Sequence, residues 1–124
     1  MSVRPYNHGL DYDQLCGWYK GYGEDAPDLG LLPPTGYISD FGAIFVIKTD
    51  TDLCMLEHLI IDRDFMGDRA DAVTDLAHAA IGHARASGFS LCWAFTRYPV
   101  VAKVAEKLGF RKARSFKGLW ERGL

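Results

Sequence analysis

Residues 53–110 constrain the fold of this 124-residue chain more than any other stretch, because strand and helix patterns alternate along them. Residues 53–62 are mostly apolar and bounded by turn residues, which is typical of a buried central strand. Asp68 opens a long helical pattern, residues 90–95 form a second strand pattern, and residues 99–108 form a second helical pattern. This order predicts an α/β (α+β) domain in which the two strands run parallel within one sheet.

The first half of the chain predicts further strands and one more helix. Strand-forming runs bounded by turn residues lie at 2–6, 35–39 and 43–49. The Asp-Phe-Gly turn between the last two runs is a hairpin signal. Asp11, with Gln14 three residues later, has the form of a capping box, so we expect a helix to begin there and to stop at Gly23. With one more strand near the end of the chain, the expected architecture is a mixed sheet of about six or seven strands flanked by helices.

Length and composition predict one ordinary globular domain over residues 1–124. The start of the chain has no apolar segment behind its charge, and no apolar run approaches the roughly 20 residues that span a bilayer. Cys16, Cys54 and Cys92 are odd in number and lie far apart among apolar residues, as reduced core thiols do. We therefore expect a cytoplasmic protein without a membrane partner, a disulfide framework or a metal site.

The net charge of −2 conceals a strong asymmetry along the chain. Residues 1–96 carry 14 acidic and 6 basic side chains, whereas residues 97–124 carry 2 acidic and 8 basic ones. The basic residues of the last segment are Arg97, Lys103, Lys107, Arg111, Lys112, Arg114, Lys117 and Arg122. Such a segment can steer an anion toward one face of the protein, although a solvated helix face and an edge strand kept soluble by lysines explain it as well. Because the chain as a whole is acidic, its charge does not favour nucleic acid as a partner.

The order of elements, together with Glu-Lys-Leu-Gly-Phe at residues 106–110, resembles the GNAT superfamily of acyl-CoA-dependent N-acyltransferases. The resemblance implies a sheet that splays between the two parallel strands, with acetyl-CoA bound in the splay. It also implies transfer of the acetyl group to an amine, on either a small molecule or a protein. Within the superfamily, residues 32–38, the acidic turn after residue 61 and residues 96–99 look like short GNAT-like proteins of tailed bacteriophages. That likeness implies action in the cytoplasm of a bacterial host.

The turn that holds the CoA pyrophosphate in this superfamily is altered here. GNAT proteins carry a glycine-rich signature of the form Arg-Gly-x-Gly-x-Gly, whose N–H groups hold the pyrophosphate together with the following helix. The matching residues here run from Met66 to Asp71: Gly67 remains, whereas Arg69 and Asp71 occupy the other two glycine positions. The carboxylates of Asp68 and Asp71 would oppose a diphosphate unless Arg69 acts as a counter-ion. Alternatively, an Asp-x-x-Asp pair simply caps the start of a helix.

The resemblance also assigns the contacts with the cofactor. Amides at the end of the central strand would bind the pantetheine, and the altered turn would bind the diphosphate weakly or not at all. The ten residues so assigned are Leu59, Ile60, Ile61, Met66, Gly67, Asp68, Arg69, Ala70, Asp71 and Ala72.

Glu57 is the candidate base that takes a proton from the amine, since several GNAT enzymes keep a glutamate in this region. A structural ion pair with a neighbouring base is the alternative role. His58 is the other ionisable residue in the middle of that strand, and strand alternation predicts that it faces the opposite side as a core histidine. The tyrosine that many GNAT enzymes use as an acid is replaced by Ala105. Tyr98, which precedes Pro99 at a predicted helix start, is the alternative acid.

The sequence thus supports two functions from different classes. The first, toward which the prediction leans, is an acyl-CoA-dependent N-acyltransferase. The alternative is a catalytically inactive protein of the same fold that binds a host or virion protein, for example through its basic end. A homodimer is compatible with both. The acceptor stays open because residues 24–34, a turn-rich loop, would shape its site.

Overall fold

A computed structural model describes residues 2–96, 98–113 and 118–124 of the chain. Over these residues the chain forms seven strands and three α helices, with one 3₁₀ turn at Leu29–Leu31. In chain order these elements are β1 (Arg4–Pro5), α1 (His8–Gly21), β2 (Gly36–Ile38), β3 (Gly42–Lys48), β4 (Leu53–Ile61), α2 (Arg69–Ala86), β5 (Leu91–Phe95), α3 (Pro99–Lys107), β6 (Arg111–Lys112) and β7 (Leu119–Gly123). The predicted type and order of every element from the hairpin to α3 are confirmed.

The seven strands form one mixed sheet in the order β1-β2-β3-β4-β5-β7-β6. The pair β4 and β5 is parallel, and each other neighbouring pair within the described residues is antiparallel. The helix α2 connects the two parallel strands, as such a crossover requires. The prediction of a mixed sheet of about six or seven strands, with parallel pairing between the strands at residues 53 and 90, is confirmed.

The sheet separates two apolar layers, and β3 shows how the sequence divides between them. Ile44 and Val46 lie in the core formed with α2 and α3. Ala43 and Phe45 lie in a second core, formed with α1 around residues such as Leu15. Since successive strand residues point to opposite faces, the continuous apolar run of β3 serves both layers.

Two of the three cysteines lie at the centre of the sheet, as the apolar sequence around them predicts. Cys54 of β4 and Cys92 of β5 are opposite each other in the parallel register, and both are fully buried. The hydrogen bond to the Cys54 thiol and burial together raise the pKa of Cys92 far above its usual range. Cys92 therefore stays a protonated, inert core thiol.

The start of α1 differs from the prediction. The helix begins at His8, and Asn7 is its N-cap, with its side-chain oxygen accepting from the Leu10 N–H at 3.1 Å. Asp11 lies inside the first turn, where its carboxylate accepts from the Asn7 N–H at 2.8 Å and from the Arg4 guanidinium at 2.6 and 2.8 Å. The hydrogen bonds from Arg4 lower the pKa of Asp11. The prediction that the helix begins at Asp11 is therefore wrong, because this carboxylate binds β1 to α1.

Candidate functional site

The sheet opens between its two parallel strands. The ladder between β4 and β5 runs from Leu53 opposite Leu91 to Leu56 opposite Ala94, and it ends there. Beyond that point β4 continues to Ile61 with β3 as its partner, while β5 keeps its pairing with β7. Within the described residues, the side of β4 that faces β5 is consequently left without a neighbouring strand over its last five residues. An open strand edge of this kind offers backbone donors and acceptors to a ligand.

A β-bulge lies at the beginning of this open half. Ala43 of β3 is opposite Ile60 of β4, and Phe45 is opposite Glu57, so β4 has one residue more than β3 between these pairs. His58 lies within the bulge and has a φ of +56°. This is the left-handed region, which residues other than glycine rarely adopt. Bulges are common beside active sites, where they redirect side chains.

The bulge overturns the expectation that Glu57 and His58 face opposite sides of the sheet. Glu57 shares the face of its register partner Phe45, whose ring lies in the α1 layer. The His58 ring contacts the same Phe45 ring, with centroids 6.1 Å apart at an interplanar angle of 78°. Both ionisable side chains are therefore on the α1 side, because the extra residue cancels one step of strand alternation.

An aromatic row continues from His58 across this side of the sheet. The Phe45 ring contacts the Tyr6 ring at 4.8 Å between centroids, and Tyr6 contacts His8 at 5.2 Å. The Tyr6 hydroxyl is buried and has no hydrogen-bond partner within the described residues. Burial, with a smaller effect of the Asp11 charge, raises the pKa of Tyr6 to about 12. The Tyr6 phenol therefore stays neutral at physiological pH. The aromatic row gives Glu57 an apolar surface on this side of the sheet, since Phe45 is its register partner.

The turn between β4 and α2 is fastened to the end of α1. The Tyr22 hydroxyl donates to the Ile61 carbonyl at 2.6 Å, and the Arg63 guanidinium donates to the Gly21 carbonyl at 2.9 Å. Arg69 donates to the Arg63 carbonyl at 2.7 Å. The Arg69 guanidinium thus binds the backbone of the turn. Its role as a counter-ion for a phosphate stays a prediction.

The start of α2 confirms the capping interpretation of Asp68. This residue is the N-cap, and its carboxylate accepts from the Asp71 N–H at 3.1 Å. Across residues 2–96, 98–113 and 118–124, no hydrogen bond uses the backbone N–H groups of residues 66–70. Several free N–H groups at a helix start suit an anion such as a diphosphate, so the main chain here fits CoA. The carboxylate of Asp71, which is exposed, is the opposing charge.

The structure explains why residue 67 is a glycine. A Cβ atom at this position would collide with the Phe65 ring. That ring packs on Phe41 at 4.3 Å between centroids and so attaches the turn to the β2–β3 hairpin. The remaining glycine of the turn thus permits Phe65 to pack, whether or not a phosphate approaches.

The two predicted catalytic residues belong to opposite layers of the domain. Glu57 is half-buried on the α1 side, whereas Tyr98 precedes α3, which packs with α2 on the other side. Tyr98 is 69% exposed. Ala105, at the usual tyrosine position, is buried in the core beneath α3. The structure thus puts Glu57 and Tyr98 on different sides of the sheet, and their roles as base and acid stay predictions.

A groove between α2 and α3 is a feature that the sequence did not reveal. It has a volume of about 290 Å³ and is bounded by the first two turns of α2, from Ala70 to Thr74, and by one face of α3. That face combines Val100 and Val104 with Lys103 and Lys107. In the sequence, the groove is indicated only by the spacing of Lys103 and Lys107, which lie four residues apart in the basic segment.

Two kinds of feature are absent from the described part of the chain. No group of three or more His, Cys, Asp or Glu side chains there is placed to hold a metal ion. Among the helices of the same residues, none combines the length and the apolar character needed to cross a membrane.

Several solved structures with the same fold are acetyltransferases. An acetyltransferase of the GNAT family from Staphylococcus aureus Mu50 superposes with a TM-score of 0.77 at 13% sequence identity, over 98% of each chain. The ribosomal-protein-S18-alanine N-acetyltransferase from Escherichia coli superposes with a TM-score of 0.75 at 11% identity, over 98% of this chain and 92% of its own. N-acetylglutamate synthase from Neisseria gonorrhoeae, solved with coenzyme A and L-arginine, superposes with a TM-score of 0.74 at 16% identity, over 99% of this chain and 33% of its own.

These likenesses establish the fold of the chain. It is a single GNAT-like α/β domain, as the order of its sequence elements implies. Neither the scan against protein-family models nor the search of curated proteins finds a match. At identities of 11–16%, the structural neighbours speak for the fold alone.

Proposed function

We propose that this protein is an acyl-CoA-dependent N-acyltransferase that moves an acetyl group from acetyl-CoA to an amine. The observation that carries the proposal is the end of the β4–β5 ladder at Leu56 and Ala94, beside the free N–H groups of residues 66–70. An open edge of β4 suits the extended, amide-containing pantetheine, and the start of α2 suits the diphosphate. The GNAT fold of the chain supports the same assignment.

The chain's own residues would act from three places. The thioester supplies an activated acyl group. Backbone groups of residues 59–61, on the open edge of β4, would hold the pantetheine so that the acyl carbon lies in the opening. Glu57 would take a proton from the acceptor nitrogen, directly or through one water, on the α1 side. Tyr98 would donate a proton to the departing sulfur from the α3 side.

A binding experiment tests this proposal before any acceptor is known. Acetyl-CoA and CoA are titrated into the protein while its thermal unfolding is followed. A ligand at 100 times its dissociation constant adds about 2.7 kcal/mol to the free energy of unfolding, so a clear rise in Tm is expected. The absence of any shift at millimolar acetyl-CoA and CoA would contradict the proposal.

The role of Glu57 is tested by thiol release from acetyl-CoA in the presence of different amines. A polyamine, an aminoglycoside and a peptide with a free N-terminus represent small-molecule and protein acceptors. With an amine that supports turnover, Glu57→Gln is expected to lower kcat by about 10²–10⁴-fold while the affinity for CoA is unchanged. Glu106→Gln, an exposed position on α3, is the matched control. Equal turnover by Glu57→Gln and the native protein would remove Glu57 from the mechanism.

A second candidate function is a catalytically inactive binding protein. Ala105 favours it, because the position where many GNAT enzymes carry their acid is a small side chain buried in the core. The thermal-shift experiment separates the two candidates, since a binding module rebuilt for another partner has no need to retain CoA. In either case we propose that the protein acts in the cytoplasm of a bacterial host, as the resemblance of residues 32–38 and 96–99 to phage-encoded GNAT-like proteins implies.

A further inference from the structure

The groove between α2 and α3 has the character of a binding site for an anion with an apolar part. Its volume of about 290 Å³ is close to the lower end of the roughly 300–1,000 Å³ of small-molecule pockets. Val100, Val104 and Ala70 provide apolar contact, and Lys103 and Lys107 provide charge. Asp71 is the single acidic residue among those that line it.

The two lysines are placed to act together. They are four residues apart on α3, so their Cβ atoms lie about 6 Å from each other on one helix face. Both side chains are exposed, and neither forms an ion pair with another residue of the described part of the chain. Two ammonium groups at this spacing can bind a single phosphate from two sides.

The position of the groove relative to the turn after β4 indicates the ligand. The groove begins at Ala70 and Asp71, directly after the free N–H groups of residues 66–70. If those N–H groups hold the CoA diphosphate, the next part of CoA is an adenosine that carries a 3′-phosphate. An apolar groove with two cations suits a nucleoside bearing a phosphate.

We infer that Lys103 and Lys107 hold the 3′-phosphate of CoA in the groove between α2 and α3, and that this contact offsets the weakened turn. The inference rests on the proposed function. The turn has lost two glycines and gained the carboxylate of Asp71, whereas α3 presents two cations opposite that carboxylate. The affinity for the anionic end of CoA therefore resides more on α3 than on the turn.

The test compares CoA with 3′-dephospho-CoA by isothermal titration calorimetry. The native protein is expected to bind CoA at least about tenfold more tightly than 3′-dephospho-CoA, since charge-assisted hydrogen bonds to the phosphate are lost. This ratio should decrease as salt is added, because the lysines are exposed. The double variant Lys103→Ala/Lys107→Ala should bind both ligands alike, with the affinity of the native protein for 3′-dephospho-CoA.

A control variant removes two positive charges elsewhere. Lys20→Ala/Lys48→Ala changes exposed lysines of α1 and β3 and should keep the native ratio between the two ligands. Equal affinities of the native protein for CoA and 3′-dephospho-CoA would overturn the inference while leaving the proposed function intact. Binding of neither ligand would overturn the proposed function and the inference with it. A ratio that falls equally in both double variants would show a general charge effect and would also overturn the inference.

Discussion

The two halves of β4 are both mainly apolar, but they have different surroundings. From Leu53 to Leu56 the strand has β3 on one side and β5 on the other, with regular pairing to both. From Glu57 to Ile61 its only partner strand among the described residues is β3, and that pairing contains the bulge at His58. The first half therefore contributes to stability through burial and a complete ladder. The second half has an open edge and a strained residue, which are features of a site.

The comparison teaches that a site can be made by removing a neighbour from a strand. Glu57 and His58 begin the second half, but two ionisable residues within a mainly apolar strand do not show that the strand loses a neighbour there. The division comes from β5, which stays with β7 and leaves β4 after Ala94. The following predictions test whether the two halves respond as differently as their surroundings imply.

Truncation of Leu56, in the paired half, should have the largest effect on stability. Leu56 is 7% exposed and lies in the core shared with α2 and α3. Leu56→Ala should lower the free energy of unfolding by about 2–5 kcal/mol, measured by urea denaturation. The affinity of the folded protein for CoA should be unchanged. A loss of CoA affinity with little loss of stability would show that the paired half belongs to the site.

A glycine variant should be more stable than the alanine variant in the open half of β4, and less stable than the alanine variant in the paired half. At position 58 the positive φ favours glycine, so His58→Gly should be more stable than His58→Ala by about 1 kcal/mol. Met55, in the paired half, is the matched position, and there Met55→Ala should be the more stable variant by about 0.5–1 kcal/mol. Thermal unfolding of the four variants measures both differences. The same order at both positions would mean that the bulge is not present in solution.

Removal of the helix cap that follows the open half should cost less than truncation of the core. Asp68→Ala leaves the Asp71 N–H without its acceptor and should destabilise the protein by about 1 kcal/mol. Asp68→Asn and Asp68→Ser keep an acceptor and should retain most of the stability. A cost for Asn and Ser as large as that for Ala would contradict the capping role.

Neutralisation of Asp71 should have the smallest effect on stability and a visible effect on the ligand. Asp71→Asn removes a favourable charge from the first turn of α2 and should cost about 0.3–1 kcal/mol. It also removes the one acidic side chain that lines the groove, so the affinity for CoA should increase severalfold. Asp75→Asn, one turn further along α2, is the control and should leave the affinity unchanged. Weaker CoA binding by Asp71→Asn would mean that this carboxylate accepts a hydrogen bond from the ligand.

The sequence predicted the elements well and the details of contact poorly. The hairpin, β4, α2 and α3 have strong local signals, which include turn residues, apolar periodicity and the cap at Asp68. The start of α1 was misplaced because Asn7 and Asp11 both offer a side-chain oxygen. Only the fold brings Arg4 to Asp11, and this contact decides which of the two residues caps the helix.

The candidate site was predicted in part. The sequence placed Glu57 in the middle of the central strand and residues 66–71 at the turn and helix start that follow it, and the structure has them there. It could not show that His58 shares the face of Glu57, since an extra residue in a strand with apolar neighbours on both faces leaves no break in polarity. Nor could it show that Lys103 and Lys107 face the start of α2, because helix packing determines that contact.

The sequence by itself determined the order and type of the elements, since hydrophobic periodicity, turns and caps act between residues that are close along the chain. The tertiary structure alone decided where β4 loses its neighbour, which way its bulged residues point and what α3 presents to α2. These features depend on contacts between distant segments: Phe45 with His58, β5 with β7, and α2 with α3. Local chemistry thus specified the GNAT-like domain, and long-range packing specified its site.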